Sequence, residues 1–201
     1  MKEKLVELIS RVQDCGCDFT DVVQTIYINN DELADYLISQ GVIIQEKDRE
    51  EDETVEEFEG EYAFLSNFFP SPIYYDGIIY PTNEHFFQAM KTTDMQLKKA
   101  IANAKTPGEA KRLGRNVTLR PDWEKIKEYF MELGLRIKFE DPILRKRLLN
   151  TGTAQLVEGN WWHDNEWGNC TCEKCKNQKG KNKLGVCLMK VRAELSEEKK
   201  R

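Results

Sequence analysis

Three groups of residues in this sequence are of types and spacings that can do chemistry. The first is Glu84, Gln88 and Lys91, at i, i+4 and i+7 in the run Pro81-Thr-Asn-Glu-His-Phe-Phe-Gln-Ala-Met-Lys91. On a helix that spacing puts a carboxylate, an amide and an amine on one stripe. Phe86, Ala89 and Met90 take the other side, with Phe87 at the border. Such a stripe is either solvent-facing surface or one wall of a cleft, and helix geometry by itself favours surface. Glu84 falls in the first turn, where the helix dipole stabilises an anion. The expectation is therefore an ionised carboxylate, suited to stabilising positive charge or activating water and less suited to giving up a proton. Lys91 can supply an amine nucleophile when desolvated.

The second group is Val157-Glu-Gly-Asn-Trp-Trp-His-Asp-Asn-Glu-Trp-Gly168. Trp161, Trp162 and Trp167 crowd a stretch that also holds Glu158, Asp164 and Glu166. Tryptophan is costly to expose, so a loop this aromatic either packs as a corner of the core or closes on something flat, such as a nucleobase. Asp164, lying between the aromatics, is the carboxylate of choice, with Glu166 its rival. Two carboxylates held near a sugar are the usual machinery for breaking a glycosidic bond. Spacing alone does not bring Glu84 and Asp164 together.

The third group is Cys170-Thr-Cys-Glu-Lys-Cys175. Its C-x-C-x-x-C pattern reads as a reduced, lysine-rich surface loop, because a structural zinc normally draws on two well-separated ligand pairs. The alternative is a structural zinc on Cys170, Cys172 and Cys175 with His163 or Cys187 as fourth ligand, bracing the loop rather than catalysing. Cys15-Gly-Cys17 reads as turn residues. No cofactor is implied.

The elements that must position these groups read as α+β, rich in helix, with a small antiparallel hairpin. Residues 1–45 look like a short helical segment, with Leu5, Leu8, Ile9 and Val12 at helical spacing and a second helix between Asp31 and Gly41. Residues 46–54 are an acidic linker with almost nothing to bury. The main domain occupies 55–197. Ile73–Tyr80 predicts a hairpin turning at Asp76-Gly77. Thr82 or Asn83 caps a helix running to about Thr92, and Thr106-Pro-Gly-Glu109 is a capping box for another that Gly114 closes. Further helices are expected after Pro121 and after Asp141-Pro142, then a strand over 154–158 and a last helix over roughly 184–195.

Composition bounds what this domain can be. Hydrophobic residues make up 40% and charged residues 32%, with a formal net charge of −5. That acidity argues against wholesale attraction to nucleic acid, although residues 174–190 are locally basic. No apolar run approaches the roughly 20 residues of a membrane span. The charged N-terminus is no signal peptide, so a cytoplasmic location is expected.

The motifs, in order, carry a resemblance. Glu61-Tyr-Ala-Phe-Leu-Ser-Asn-Phe-Phe-Pro-Ser-Pro72 resembles the opening motif of the NADAR (YbiA-like) family, and the Pro81–Lys91 run resembles its second. Ala110-Lys-Arg-Leu-Gly-Arg115, Pro121-Asp-Trp123, Lys138-Phe139, Leu149-Asn-Thr-Gly152, Leu156-Val-Glu-Gly-Asn160, Asp164 with Trp167-Gly168, and Asn182-Lys-Leu-Gly185 follow in family order. The resemblance spans residues 57–195 and implies a metal-independent hydrolase of N-glycosidic bonds. Its implied substrates are ADP-ribosylated guanine or phosphorylated ribosylamino-pyrimidine intermediates of riboflavin synthesis. Carried over by motif, Glu84, Asp164 and Trp123 are implied catalytic positions, with Lys91 added from the helix stripe. Asn67, Gln88, Trp161 and Trp167 are expected substrate contacts, and Arg115, Arg112 and Lys138 candidate phosphate contacts. The rival classes are a domain that binds ADP-ribose without cleaving it and a zinc-stabilised nucleic-acid adaptor.

Overall fold

The alternation of apolar residues around Asp76-Gly77 produces the hairpin it predicts. The structure, a computed structural model, describes residues 54–198. The helical reading of residues 1–45 and the polar run to residue 53 lie outside the described residues. Strand β2 (Pro70–Tyr75) pairs antiparallel with β3 (Ile78–Thr82), burying Ile73, Ile78 and Tyr80 while Tyr74 and Ile79 face out. Asp76 and Gly77 both adopt positive φ, 53° and 73°, as a two-residue turn matched to strand twist requires.

β3 runs directly into helix α1 (Asn83–Ala89), whose N-cap Thr82 accepts a hydrogen bond from the His85 backbone N–H. Every residue of α1 is buried. Phe86 is its anchor, meeting Tyr75, Tyr80 and Phe130 edge-to-face at 5.4, 5.6 and 6.2 Å. Each such burial stabilises the fold by roughly 1.5–3 kcal/mol.

Helices α2 (Met95–Ala102), α3 (Pro107–Gly114) and α4 (Trp123–Lys138) pack against α1 or each other. The capping box at Thr106 forms with one shift. Thr106 accepts from Glu109 N–H as expected, but the Glu109 carboxylate reaches back to Lys105 N–H at 2.9 Å. α4 approaches α1 so closely that a Cβ on Gly134 would lie 1.9 Å from Asn83 Oδ1. Helix α5 (Pro142–Leu149) is capped by Asp141, and α6 (Lys183–Glu198) packs on both α4 and α5.

Two short parallel pairs complete the fold. β1 (Thr54–Val55) lies beside β4 (Gln155–Leu156), and β5 (Gly159–Asn160) beside β6 (Asn169–Cys170). The strand expected over 154–158 is thus only two ladder residues long, though Val157 N–H still donates to Val55 O at 2.8 Å and Gly159 N–H to Glu56 O at 3.0 Å. The class is α+β as expected. The parallel pairs were not foreseen, because two-residue strands carry no periodicity to read. Among the described residues no helix is long and apolar enough to cross a membrane.

Candidate active site

The site is built outward from the first turn of α1. Glu84 N–H donates to Asn67 O at 2.9 Å, and Asn67 Oδ1 accepts from Asn83 Nδ2 at 2.8 Å. Asn67 therefore holds the helix start. Glu84 and Gln88 are 5% and 4% exposed, so their stripe is interior and not solvated surface. Gln88 Nε2 donates to Glu84 Oε1 at 2.8 Å and fixes the carboxylate. Gln88 is pressed in turn against α3, where a Cβ on Gly114 would lie 2.2 Å from its Oε1 and 2.8 Å from its Cβ. Gly114→Ala is accordingly expected to cost about 1–3 kcal/mol of stability and to lower turnover by displacing Gln88. Urea titration alongside an activity assay checks both.

Charges place the remaining members. Burial raises the Glu84 pKa, opposed by the Lys111 charge, the Gln88 hydrogen bond and the Lys91 charge, and reinforced by Asp164. Burial likewise pushes Glu158 up to about 8, with Asp164 and Glu84 adding to the rise and Lys111 opposing it. Glu84, Glu158 and Asp164 thus share one electrostatic neighbourhood with Lys111. Burial outweighs the helix dipole, so the Glu84 pKa is raised rather than lowered. A helix terminus is worth roughly 0.3–1 kcal/mol, whereas desolvating a carboxylate costs several. Lys91 is half-buried, and burial lowers its pKa against the pull of Glu84, with Lys111 and Arg115 lowering it further.

Two loops present the other carboxyls. Asn160 accepts from Asp164 N–H at 3.1 Å and donates to Asp164 O at 2.7 Å, clasping that residue's backbone. Asp164 Oδ1 then accepts from Glu166 and Trp167 N–H at 3.1 and 2.9 Å. Glu158 is set by Asn182, whose side chain accepts from Glu158 N–H at 3.0 Å and donates to Leu156 O at 2.8 Å.

The aromatic residues divide. Trp123 is buried and lies 5.1 Å from Phe87, which Trp167 meets edge-on at 5.0 Å. Lys91 Nζ sits 6.0 Å over the same Phe87 ring. Trp161, by contrast, is 74% exposed and touches Trp162 edge-on, apart from this cluster. Arg112 on α3 and Arg115 just after its end are exposed, and Lys111 is half-buried. Lys138 is 1% exposed, donates to Ser66 O at 2.7 Å and lies over Phe69 and Phe139. Burial lowers it to about 7, and no charge of the carboxyl cluster acts on it. Glu166, the rival carboxylate, pairs with Lys181, Lys183 and Lys127, which hold it down at about 2. It is the centre of an ion-pair cluster with three lysines.

Glu158 and Lys111 are the members that residue spacing missed. Lys111 had a usable signal, standing three residues before Gly114 on a helix whose cap was legible. Glu158 had its place in the tryptophan-rich stretch and in the Leu156–Asn160 motif, but nothing that set it above Asp164.

Comparison with known proteins places the chain in a family. The NADAR domain model matches residues 52–196. An N-glycosidase YbiA of Shigella flexneri serotype 5b is 43% identical over 142 residues, covering 69% of this chain and 85% of that protein. A riboflavin biosynthesis protein of Vibrio vulnificus, VVA0006, is 34% identical over 143 residues, covering 68% of this chain but only 36% of that longer protein. The NMR structure of Escherichia coli YbiA superposes with a TM-score of 0.64 at 38% identity, covering 77% of this chain and 92% of that one. Sequence and fold therefore agree, and the chain belongs to the NADAR family.

Proposed function

We propose that this protein is an N-glycosidase that hydrolyses the bond between ribose C1 and a base-type nitrogen in a phosphate-bearing substrate. The observation that carries this reading is the grouping of buried Glu84 with half-buried Glu158 and Asp164, the pKa of the first two being raised by desolvation. Cleaving C1–N needs a proton for the departing nitrogen, stabilisation of an oxocarbenium-like C1, and a water directed at that carbon. Glu158, protonated at neutral pH, donates to the leaving nitrogen. Glu84, fastened by Gln88, faces the developing positive charge. Asp164, with Oδ1 already engaged by two backbone N–H groups, turns Oδ2 to the water. The water's hydroxyl bonds to C1, and its proton restores the acid. Lys111, Lys91 and Arg115 form a cationic side to the site, which fits phosphate oxygens.

Both ADP-ribosylated guanine and phosphorylated ribosylamino-pyrimidines present that bond. Purified protein is to be offered each, with the released base and sugar identified by chromatography and mass spectrometry. Cleavage of one supports the enzyme and names its substrate. Retention of intact ligand without cleavage of either supports a binding module instead.

The raised pKa of Glu158 has two signed consequences. As a general acid it is lost when deprotonated, so kcat/KM is expected to fall as pH rises through about 8. As a folded-state pKa above its unfolded value, it contributes stability that is full below the unfolded carboxyl pKa and lost as pH climbs toward 8. Glu158→Gln should flatten the alkaline limb of both profiles, read by initial rates and by thermal melts across pH.

One observation favours a second chemical route. The lowered basicity of half-buried Lys91 suits attack on C1 of the opened sugar, expelling the base with a proton and leaving an imine that water hydrolyses. Borohydride added during turnover would then leave a reduced sugar adduct on Lys91, visible by peptide mass mapping. Undiminished turnover with no adduct supports the water route.

A further inference from the structure

Away from the carboxyl cluster, His163, Cys170, Cys172 and Cys175 bring four ligand atoms to within 4.8 Å of one another. His163 Nδ1 lies 3.2 Å from Cys172 Sγ and 3.4 Å from Cys175 Sγ. With Zn–S near 2.3 Å and Zn–N near 2.0–2.1 Å, ligand atoms around a tetrahedral ion are separated by roughly 3.5–3.8 Å. The two His163–sulfur spacings need lengthen by only a few tenths of an ångström, and the widest separation in the group need close by about 1 Å at most. We infer that His163, Cys170, Cys172 and Cys175 form a structural zinc site that holds the loop carrying Asp164.

The backbone is arranged to deliver these four groups. Cys170 ends the β5–β6 pairing, and Cys172 and Cys175 flank a turn in which Cys172 O accepts from both Cys175 and Lys176 N–H. His163 takes a φ of 70°, uncommon for a side-chain-bearing residue, and its N–H donates to Cys170 Sγ at 3.3 Å. Cys187, the other candidate fourth ligand, is buried on α6 near Glu128 and Glu132 and is not part of the group. Four protein ligands leave no open coordination position, so the site is structural, and thiolates with an imidazole suit zinc rather than a hard cation.

The loop's composition shows why it needs an ion. Between residues 161 and 182 only Trp167 packs on the apolar core, and that stretch holds no helix. A metal supplies the free energy that hydrophobic burial does not. Asp164 directly follows His163, so the ion fixes the residue that the functional reading above assigns to water. That last consequence rests on that reading; the metal site does not.

The test uses the full chain, purified under reducing conditions after expression with zinc. Elemental analysis is expected to return about one zinc per chain. Exchange with Co(II) should give the visible ligand-field bands of a tetrahedral ion and near-ultraviolet thiolate charge transfer. Cys172→Ser should lose most of the zinc, while Cys187→Ser retains it. Should the serine variant fail to fold, His163→Cys serves instead, and a shift of its cobalt bands toward those of a four-thiolate site supports the assignment. Folded, reduced protein that carries no zinc and gives no tetrahedral cobalt spectrum overturns it. So do one equivalent of iron, a disulfide among these cysteines, or full zinc retention in Cys172→Ser. None of these readouts requires turnover, so zinc without cleavage and cleavage without zinc are separate results.

Discussion

Glu84→Gln is expected to lower kcat by about 10²–10⁴-fold while leaving the protein folded and able to retain its ligand. The substitution is nearly isosteric, and an amide oxygen can still accept from Gln88 Nε2 as the carboxylate does at 2.8 Å. What disappears is the group able to carry negative charge beside C1 as positive charge develops there. At about 1.36 kcal/mol per decade, the loss amounts to roughly 3–5 kcal/mol of transition-state stabilisation. Folding should not suffer, because removing a desolvated ionisable group relieves a cost that Glu84 imposes where it sits. The expected signature is thus a fall in kcat, a KM changed little, and a melting temperature equal to or above that of the parent. Steady-state kinetics with a thermal melt settles it: a variant within about threefold of the parent kcat removes Glu84 from the chemistry.

The second large effect concerns the fold. Gly134→Ala should destabilise the domain by about 3 kcal/mol or more. A Cβ there would meet Asn83 Oδ1 at 1.9 Å and the Phe86 ring at 2.7 Å. Neither neighbour can give way cheaply. Phe86 is wedged among Tyr75, Tyr80 and Phe130, and Asn83 is tied to Asn67. Overpacking a well-packed core costs typically 1–3 kcal/mol, and losing the buried Asn83–Asn67 bond adds on the order of 1 more. For a domain of this size the melting temperature should drop by roughly 10 °C. Activity per folded molecule should fall as well, since Asn67 and Asn83 set the turn that carries Glu84. A variant melting within a degree or two of the parent would mean that α4 can shift away from α1 without penalty.

What the sequence revealed follows physical lines. Elements with strong local punctuation were legible: Asp76-Gly77 forces the hairpin, and Thr106 and Asp141 open helices whose prolines cannot sit deeper. Helix periodicity put Glu84, Gln88 and Lys91 on one stripe, yet could not say that α3 would close over it while α4 packed on the other side. The two close approaches depend on Gly114 and Gly134, whose missing side chains are invisible to a hydrophobic pattern. Glu158 was passed over for a related reason. Its pKa is set by burial beside Asp164 of the same stretch and Glu84 far away in sequence, and no local window shows that the three are folded together. The cysteine cluster turned on a similar point, because the fourth ligand sits seven residues before Cys170 on a residue of unusual backbone conformation.

The small β1–β4 pairing bears on where this domain can be shortened. Val55 O and Glu56 O receive the N–H groups of Val157 and Gly159, so the chain's first described residues grip Glu158 from both sides. A shortened variant beginning at Phe58 would keep every helix of the described residues and lose Val55 alone from the buried core cluster. It would also free the backbone around the proposed proton donor, letting solvent reach a carboxyl whose acidity depends on being dry. Such a truncation behaves as a detuning rather than a deletion: the alkaline limb of the activity profile slides toward ordinary carboxylate values while the protein stays whole.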